Sequence, residues 1–295
     1  AACVMVADDD WTRRFPTLRY NPRTRCCTYN PNLPNFLVGG ALEHPETVAP
    51  SALEHLRQRM EGPEGHPWGL VSTDAGNRAY EEMVHASGFG RDERQRCGFF
   101  VEATGGCGVW AWRNATCATW HCRHDRGMVG MGMWSAQRLA LGRLEAALGH
   151  LALAEVAPEV EEEGWSAWEG SREALYRLTW RWFQEVEPAD CVEALGEDVA
   201  LAAAVAERAR AVHEVRRLPV AATYKQHAVV EELGDEVRLE TYTTLDTLVV
   251  PRALVGALER FDGRPLDEVR AELAEEGVVV DDALMQALVD FDVLR

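Results

Sequence analysis

The sequence predicts a mainly α protein with small β. It should hold a loop-rich cysteine-cluster region packed on a helical bundle, and then a C-terminal winged-helix-like module. Three observations carry that expectation. Cysteines concentrate in two short stretches, the pair Cys26-Cys27 and the run Cys97, Cys107, Cys117 and Cys122. Apolar residues recur at helical spacing between Trp134 and Leu218. A hairpin signal and three short helical patterns follow Pro219. The implied divisions are 1–132, 133–218 and 219–295.

In chain order, the first region offers few long periodic stretches. Ser51-Ala52-Leu53-Glu54 reads as a capping box opening a helix to about Met60. Residues 75–86 are a second short helix candidate, ended by Ser87-Gly88. The rest reads as loops, and a loop-rich region without disulfides commonly has a metal to organise it. Trp134, Leu141, Leu144, Leu148 and Leu151 then mark an amphipathic helix over 134–156. Leu175, Leu178, Trp182 and Val186 mark another over 171–186, with Pro188 just past its end. An Ala-rich third runs over 198–218 and stops at Pro219. Beyond it, 228–233 and 236–242 flank Gly234-Asp235 as a β-hairpin. Leu248-Val249-Val250-Pro251 leads into a helix at 252–261. Helices at 266–276 and 282–289 follow, the first stopped by Gly277 and the second capped by Asp281-Asp282.

Composition narrows the function. At 295 residues and 47% hydrophobic, the chain can build a core without disulfide staples. No apolar run is long enough to span a bilayer, so no membrane is expected. Ala1 to Asp8 lacks the basic flank and apolar core of an intact signal peptide. A cytoplasmic protein with reduced thiols is the resulting expectation. The net charge of −18 argues against nucleic acid, whose phosphates are held by clustered cations. Lys225 is the only lysine, which reads as a GC-rich genome and carries no function. The acidic run Glu159 to Glu163 reads as a solvated loop.

Several thiols held together take a metal or an iron–sulfur cluster, or oxidise to disulfides. Glycines beside Cys97 and Cys107 let backbone N–H groups approach sulfur, and Phe99, Phe100, Trp110, Trp112 and Trp120 would exclude water. Zinc sites tend to pair their ligands as Cys-x2-Cys, which this chain lacks. The spacing therefore favours an iron–sulfur cluster, of the 4Fe-4S kind, with zinc as the alternative. Cys26, Cys27, Cys97, Cys107, Cys117 and Cys122 are the expected ligands. Cys3, His121 and His124 are further candidates, although both histidines also read as surface residues beside an Arg-rich turn. Cys191 reads as a packed core thiol, and Tyr29 to Phe36 as a rigid wall beside the site. The Gly127 to Met133 run lacks Gly-x-Gly-x-x-Gly spacing and is not a nucleotide site.

The order Cys-Cys, Cys-x-Phe-Phe, Gly-Cys-x-Val-Trp, Arg-Asn-x-x-Cys and a final Cys resembles the bacterial cysteine-cluster proteins described as zinc- or iron-chelating domains. Flagellin lysine-N-methylase carries a related cluster. The resemblance covers about Arg25 to His124 and implies metal chelation. The family pattern begins with additional cysteines shortly before the pair. Here only Cys3 precedes it, so that ligand is either Cys3 or a residue further upstream.

The segment 219–295 resembles the winged-helix modules of the pyrroloquinoline-quinone peptide-chaperone type and the tails of some peptide- and protein-hydroxylating oxygenases. That resemblance implies a peptide or protein partner, or a homodimer interface. Acidic residues throughout the segment, Glu231, Glu232, Asp235 and Glu236 among them, favour a basic partner. Three function classes remain open: an iron–sulfur protein in peptide or protein modification, as enzyme or electron-transfer partner; an S-adenosylmethionine-dependent protein lysine N-methyltransferase, whose S-adenosylmethionine site the sequence does not locate; and a non-catalytic zinc-stabilised interaction module. No catalytic constellation can be assigned from the residues.

Overall fold

The computed structural model describes residues 3–8, 10–187, 191 and 195–295. The protein is mainly helical, with four small antiparallel sheets. Its backbone divides into two compact units, Ala1–Trp120 with Arg138–Ala204, and His121–Gln137 with Val205–Arg295.

The first unit holds α1 (Asp10–Arg14), α2 (Asn35–Glu43), α3 (Pro50–Glu61), α4 (Asp74–His85) and α5 (Ala115–Thr119). The long helix α6 (Gly127–Val156) starts in the second unit and continues into the first, followed by α7 (Pro158–Glu163) and α8 (Arg172–Glu185). Helix α9 (Gly196–Glu214) leaves the first unit and ends in the second. Short strands β1 (Leu33–Pro34), β2 (Gly65–His66) and β3 (Gly69–Leu70) pair in the order β1-β3-β2, and β4 (Phe100–Val101) pairs with β5 (Gly106–Cys107).

Helix α2 lies against α8, where Phe36 stacks on Phe183 at 4.5 Å and the buried Tyr176 hydroxyl donates to the His66 carbonyl at 2.7 Å. Val38, Leu42, Leu56, Leu70, Phe99 and Tyr176 share one core. Burying such side chains contributes roughly 1.5–3 kcal/mol each. That apolar core backs the cysteine-bearing loops.

Local chemistry explains most helix ends. Helix α3 starts at Pro50 rather than through the Ser51 box, with Ala49 at its N-cap and no side-chain cap bond. The ring of Pro50 presets φ for the first turn and removes one N–H that would need a partner. Thr73, Asn114 and Ser171 cap α4, α5 and α8 through their side-chain oxygens. The expected stop at Pro188 lies outside the described residues. Glu159 to Glu163 form most of α7, not a loop, because Pro158 stands at N1 and the acidic first turn suits the positive helix end.

The second unit adds β6 (Ala221–Thr223), β7 (Val229–Leu233), β8 (Glu236–Leu239), β9 (Leu248–Pro251), α10 (Arg252–Val255), β10 (Asp262–Pro265), α11 (Leu266–Glu275) and α12 (Asp282–Asp290). The hairpin β7-β8 pairs Leu233 with Glu236 around Gly234-Asp235, and β9 extends it into a three-stranded sheet. Strand β6 pairs with β10 in a separate ladder. Val237, Leu239, Leu254, Phe261, Leu273 and Leu288 lie in one core. The pattern at 252–261 becomes α10 and a 3-10 turn at Leu258–Arg260 instead of one helix.

Helix α6 starts at Gly127, well before Trp134, so the glycine-rich run is helical. Its entry is held by Arg126, which forms a two-bond fork with Asp290 at 2.9 and 2.6 Å. The same guanidinium donates to the carbonyls of Val212, His213 and Val215, at the C-terminus of α9. One buried cation thus satisfies a carboxylate and the otherwise unpaired carbonyls of a helix end. Among the described residues, no helix is long and apolar enough to cross a membrane.

Candidate metal centre

Four separate segments of the first unit bring their cysteines together. The Cys97 N–H donates to the Cys27 carbonyl at 2.8 Å, and Cys107 pairs with Phe100 across the β4-β5 ladder. Thr24 and Thr28 flank the Cys26-Cys27 pair. Their hydroxyls clamp Gly90, one donating to its carbonyl at 2.8 Å and the other accepting from its N–H at 3.0 Å. Cys117 sits in the first turn of α5. Its N–H donates to the Asn114 side chain at 2.9 Å, and Asn114 donates onward to the Asn32 carbonyl at 2.9 Å.

Cys97 and Cys107 each open a Cys-Gly-apolar step with the same physics. The apolar residue, Phe99 or Val109, is buried, and its N–H donates to the cysteine sulfur two residues back. Glycine is required between them by close packing. A Cβ on Gly98 would come within 2.3 Å of the His55 ring, and one on Gly108 within 2.4 Å of the Ala52 Cβ. Both obstacles stand on α3.

The thiols interact with one another. Cys26 and Cys27 share a side-chain hydrogen bond, Cys26 is electrostatically coupled to Cys107 and Cys117, and Cys97 is coupled to the same two. Cys3 is coupled to Cys26. The bond from Cys27, then burial, pushes the Cys26 thiol far up. Burial first, with neighbouring thiols second, pushes Cys97 and Cys117 up to about 12. Cys107 and Cys3 are also raised, mainly by burial. These groups are therefore neutral thiols at neutral pH, and a cation among them is what would ionise several at once. None of the eight cysteines is in a disulfide.

Four further side chains, Arg113, Arg59, Tyr29 and Glu145, act on the thiols. The Arg113 guanidinium opposes the upward shift at Cys26, Cys107 and Cys117, and Arg59 does so at Cys97. Tyr29 packs edge-on against Tyr80 at 5.5 Å, with its hydroxyl bonded to Thr116 and coupled to Cys117. Glu145 on α6 is pushed up to about 7 by burial, accepts the Ala115 N–H, and acts on Cys117. Only the Arg-Asn-x-x-Cys spacing could have pointed to Arg113; nothing local marks Glu145.

Cys122, His121 and His124 belong to the second unit. There the His121 ring lies against Trp134 at 4.3 Å. The His124 Nδ1 is 3.0 Å from the Tyr242 hydroxyl, which bonds in turn to Asp246, while the His124 N–H donates to Asp246 at 2.8 Å. His124 thus has an intra-unit network of its own. Cys191 is buried, in keeping with a packed thiol.

The donor chemistry of Cys26, Cys27, Cys97, Cys107 and Cys117 suits zinc or an iron–sulfur centre. The N–H groups already aimed at Cys97 and Cys107 are the kind of outer support such a centre needs. Among the described residues, no three His, Cys, Asp or Glu side chains are grouped closely enough to hold one metal ion. No family model, curated protein or solved structure matches this chain.

Proposed function

We propose that the protein carries an iron–sulfur cluster of the 4Fe-4S kind on its first-unit cysteines, and acts in peptide or protein modification as enzyme or electron-transfer partner. The observation that carries this reading is the meeting of Cys26, Cys27, Cys97, Cys107 and Cys117 from four segments in one electrostatically coupled group. Cys3, whose thiol acts on Cys26, is a further candidate for the same centre. A single zinc ion with thiolates at 2.3 Å would draw sulfurs to roughly 3.8 Å from each other. A polynuclear cluster takes a wider ring of thiolates than a single ion does. When bound, such a cluster supplies one-electron transfer. The chain's own residues hold it, aim N–H groups at its sulfur ligands, and screen it with Phe99, Phe100 and Val109, which are buried.

The second unit is proposed as a winged-helix-like module for a basic peptide or protein. Its sheet ends on β7, with Val229, Val230 and Glu232 exposed, so an extended peptide could add as a further strand. A homodimer through the same unit is the competing use. A reducing, cytoplasmic setting suits eight cysteines outside disulfides.

The test is iron, zinc and acid-labile sulfide analysis of anaerobically purified protein, with its absorption spectrum. Iron and sulfide in matching amounts support the cluster. Stoichiometric zinc without sulfide, in protein made under iron-replete conditions, replaces it with the zinc reading.

A further inference from the structure

Helix α9 packs with only one of its flanks. Ala202 and Ala206 are buried there, and the Ala206 carbonyl accepts from the Gln137 side chain of α6 at 3.5 Å. A second flank is charged. Glu207, Arg210 and Glu214 are exposed on it, with Arg210 3.9 Å from Glu214. The third flank is apolar and faces solvent. Leu201 is 65% exposed, Val205 47%, Val212 56%, and Val215, just past the helix end, 60%. Together with Arg208 these residues follow one another at steps of four, three, four and three, the spacing of a coiled-coil seam. Ala204 and Ala211 beside them are exposed and small, which lets a neighbouring helix come close. A surface helix that faced only water would carry polar residues on this flank.

Charge says what fits the seam. The first turn of α9 is acidic, with Glu197 and Asp198, and Asp198 lies 3.4 Å from Arg143. No basic residue follows until Arg208, and Arg208, Arg210, Arg216 and Arg217 are then all exposed. Two such helices laid parallel would set like charges side by side. Laid antiparallel, the acidic start of each meets the basic end of the other, and the helix dipoles run in opposite directions.

We propose that this flank is the seat of α9 from a second copy of the chain, antiparallel about a two-fold axis between Ala206 and Glu207. Leu201 of each copy then meets Val212 of the other, and Glu197 meets Arg216. Such an interface is self-complementary, as a two-fold dimer requires. The apolar stem of Arg208 lies along the seam with its head in water, which weakens the contact but fixes its register. Four aliphatic side chains per copy bury less than the roughly 800 Å² per partner of a standard interface. The dimer is therefore weak and forms in the micromolar range. This inference needs neither the metal centre nor a peptide partner.

The test is sedimentation velocity of the full chain under reducing conditions, over micromolar to submillimolar concentrations. Wild type should pass from monomer to dimer. Val205→Glu and Val212→Glu should each raise the dissociation constant about tenfold or more. Both positions are exposed, so the variants keep the fold, which far-UV circular dichroism checks. Glu197→Arg and Arg216→Glu should each weaken the dimer several-fold, and the double variant should recover most of the loss. Val230→Lys, at an exposed position on β7 outside the seam, should leave the dissociation constant unchanged. A wild-type chain that stays monomeric throughout overturns the inference. So does a dimer that Val205→Glu and Val212→Glu leave intact, or one that Val230→Lys alone disrupts. A double charge variant no better than either single one rejects the antiparallel register.

Discussion

The backbone N–H of Cys97 donates to the carbonyl of Cys27 at 2.8 Å, joining two cysteines that are distant in sequence. Cys97 and Cys26, the neighbour of Cys27, both couple to Cys107 and Cys117. One main-chain bond thus closes the loop that assembles the candidate centre.

Removing a ligand should empty that centre. Cys97→Ser or Cys117→Ser is expected to lower bound iron and sulfide per chain at least several-fold. Cys191→Ser should leave the metal content unchanged. Equal metal content in all three variants would count against Cys97 and Cys117 as ligands.

The cap at Asn114 has a double duty. It accepts the Cys117 N–H and donates to the Asn32 carbonyl, and it is buried. Asn114→Ala should cost about 1–2 kcal/mol of stability, the usual range for losing a helix cap. Asn114→Asp should recover the cap and lose the Asn32 bond. The measurement is the urea midpoint of the metal-free protein, and no change in Asn114→Ala would sink the argument.

Arg126 should be the costliest single polar residue of the second unit. Its fork to Asp290 is buried on both sides, and its third nitrogen serves the end of α9. Arg126→Met leaves the Asp290 carboxylate buried without its cation, and should destabilise by about 3 kcal/mol. Adding Asp290→Leu should recover part of that loss. Urea unfolding of the two variants checks both expectations, and a double variant no more stable than Arg126→Met would contradict the second.

Glu145 predicts a pH dependence. Its folded pKa, raised to about 7 by burial, lies above the unfolded carboxylate value near 4.5. In that interval the native state holds a proton that the unfolded state has lost. The contribution is therefore fully present below about 4.5 and is lost as pH rises through about 7. Metal-free wild type should lose stability relative to Glu145→Gln between pH 5 and pH 8. A constant difference over that range would remove Glu145 as the cause.

For the second unit, the full chain should bind basic peptides, with affinity falling as salt rises. Duplex DNA should not bind at physiological ionic strength. Salt-sensitive DNA binding would overturn the peptide reading, and a tight homodimer that binds no peptide would favour the interface reading instead.

By itself, the sequence determined what depends on near neighbours. Helices α3, α4, α8, α11 and α12 and the β7-β8 hairpin stand close to where periodicity and turn residues put them. Those signals are local, since a 3.6-residue period and a Gly-Asp turn act within a few positions. Helix α2 falls in a stretch that reads mostly as loop, because Asn35 to Glu43 is nearly all buried and contains Gly39-Gly40, so neither an amphipathic stripe nor a good intrinsic propensity marks it. The start of α6 was hidden in the same way, behind its own glycines.

Only the tertiary structure decided which cysteines and charges meet. The spacing of Cys26, Cys97, Cys107 and Cys117 named the thiols but not their coupling, which depends on the Cys97 to Cys27 bond and the Asn114 to Asn32 bond. His124, a candidate ligand by its place beside Cys122, takes its partners from Tyr242 and Asp246. Arg113 and Glu145 reach the thiols from different elements of the chain. Electrostatic forces act through space, and the folded chain sets the distances that rank them.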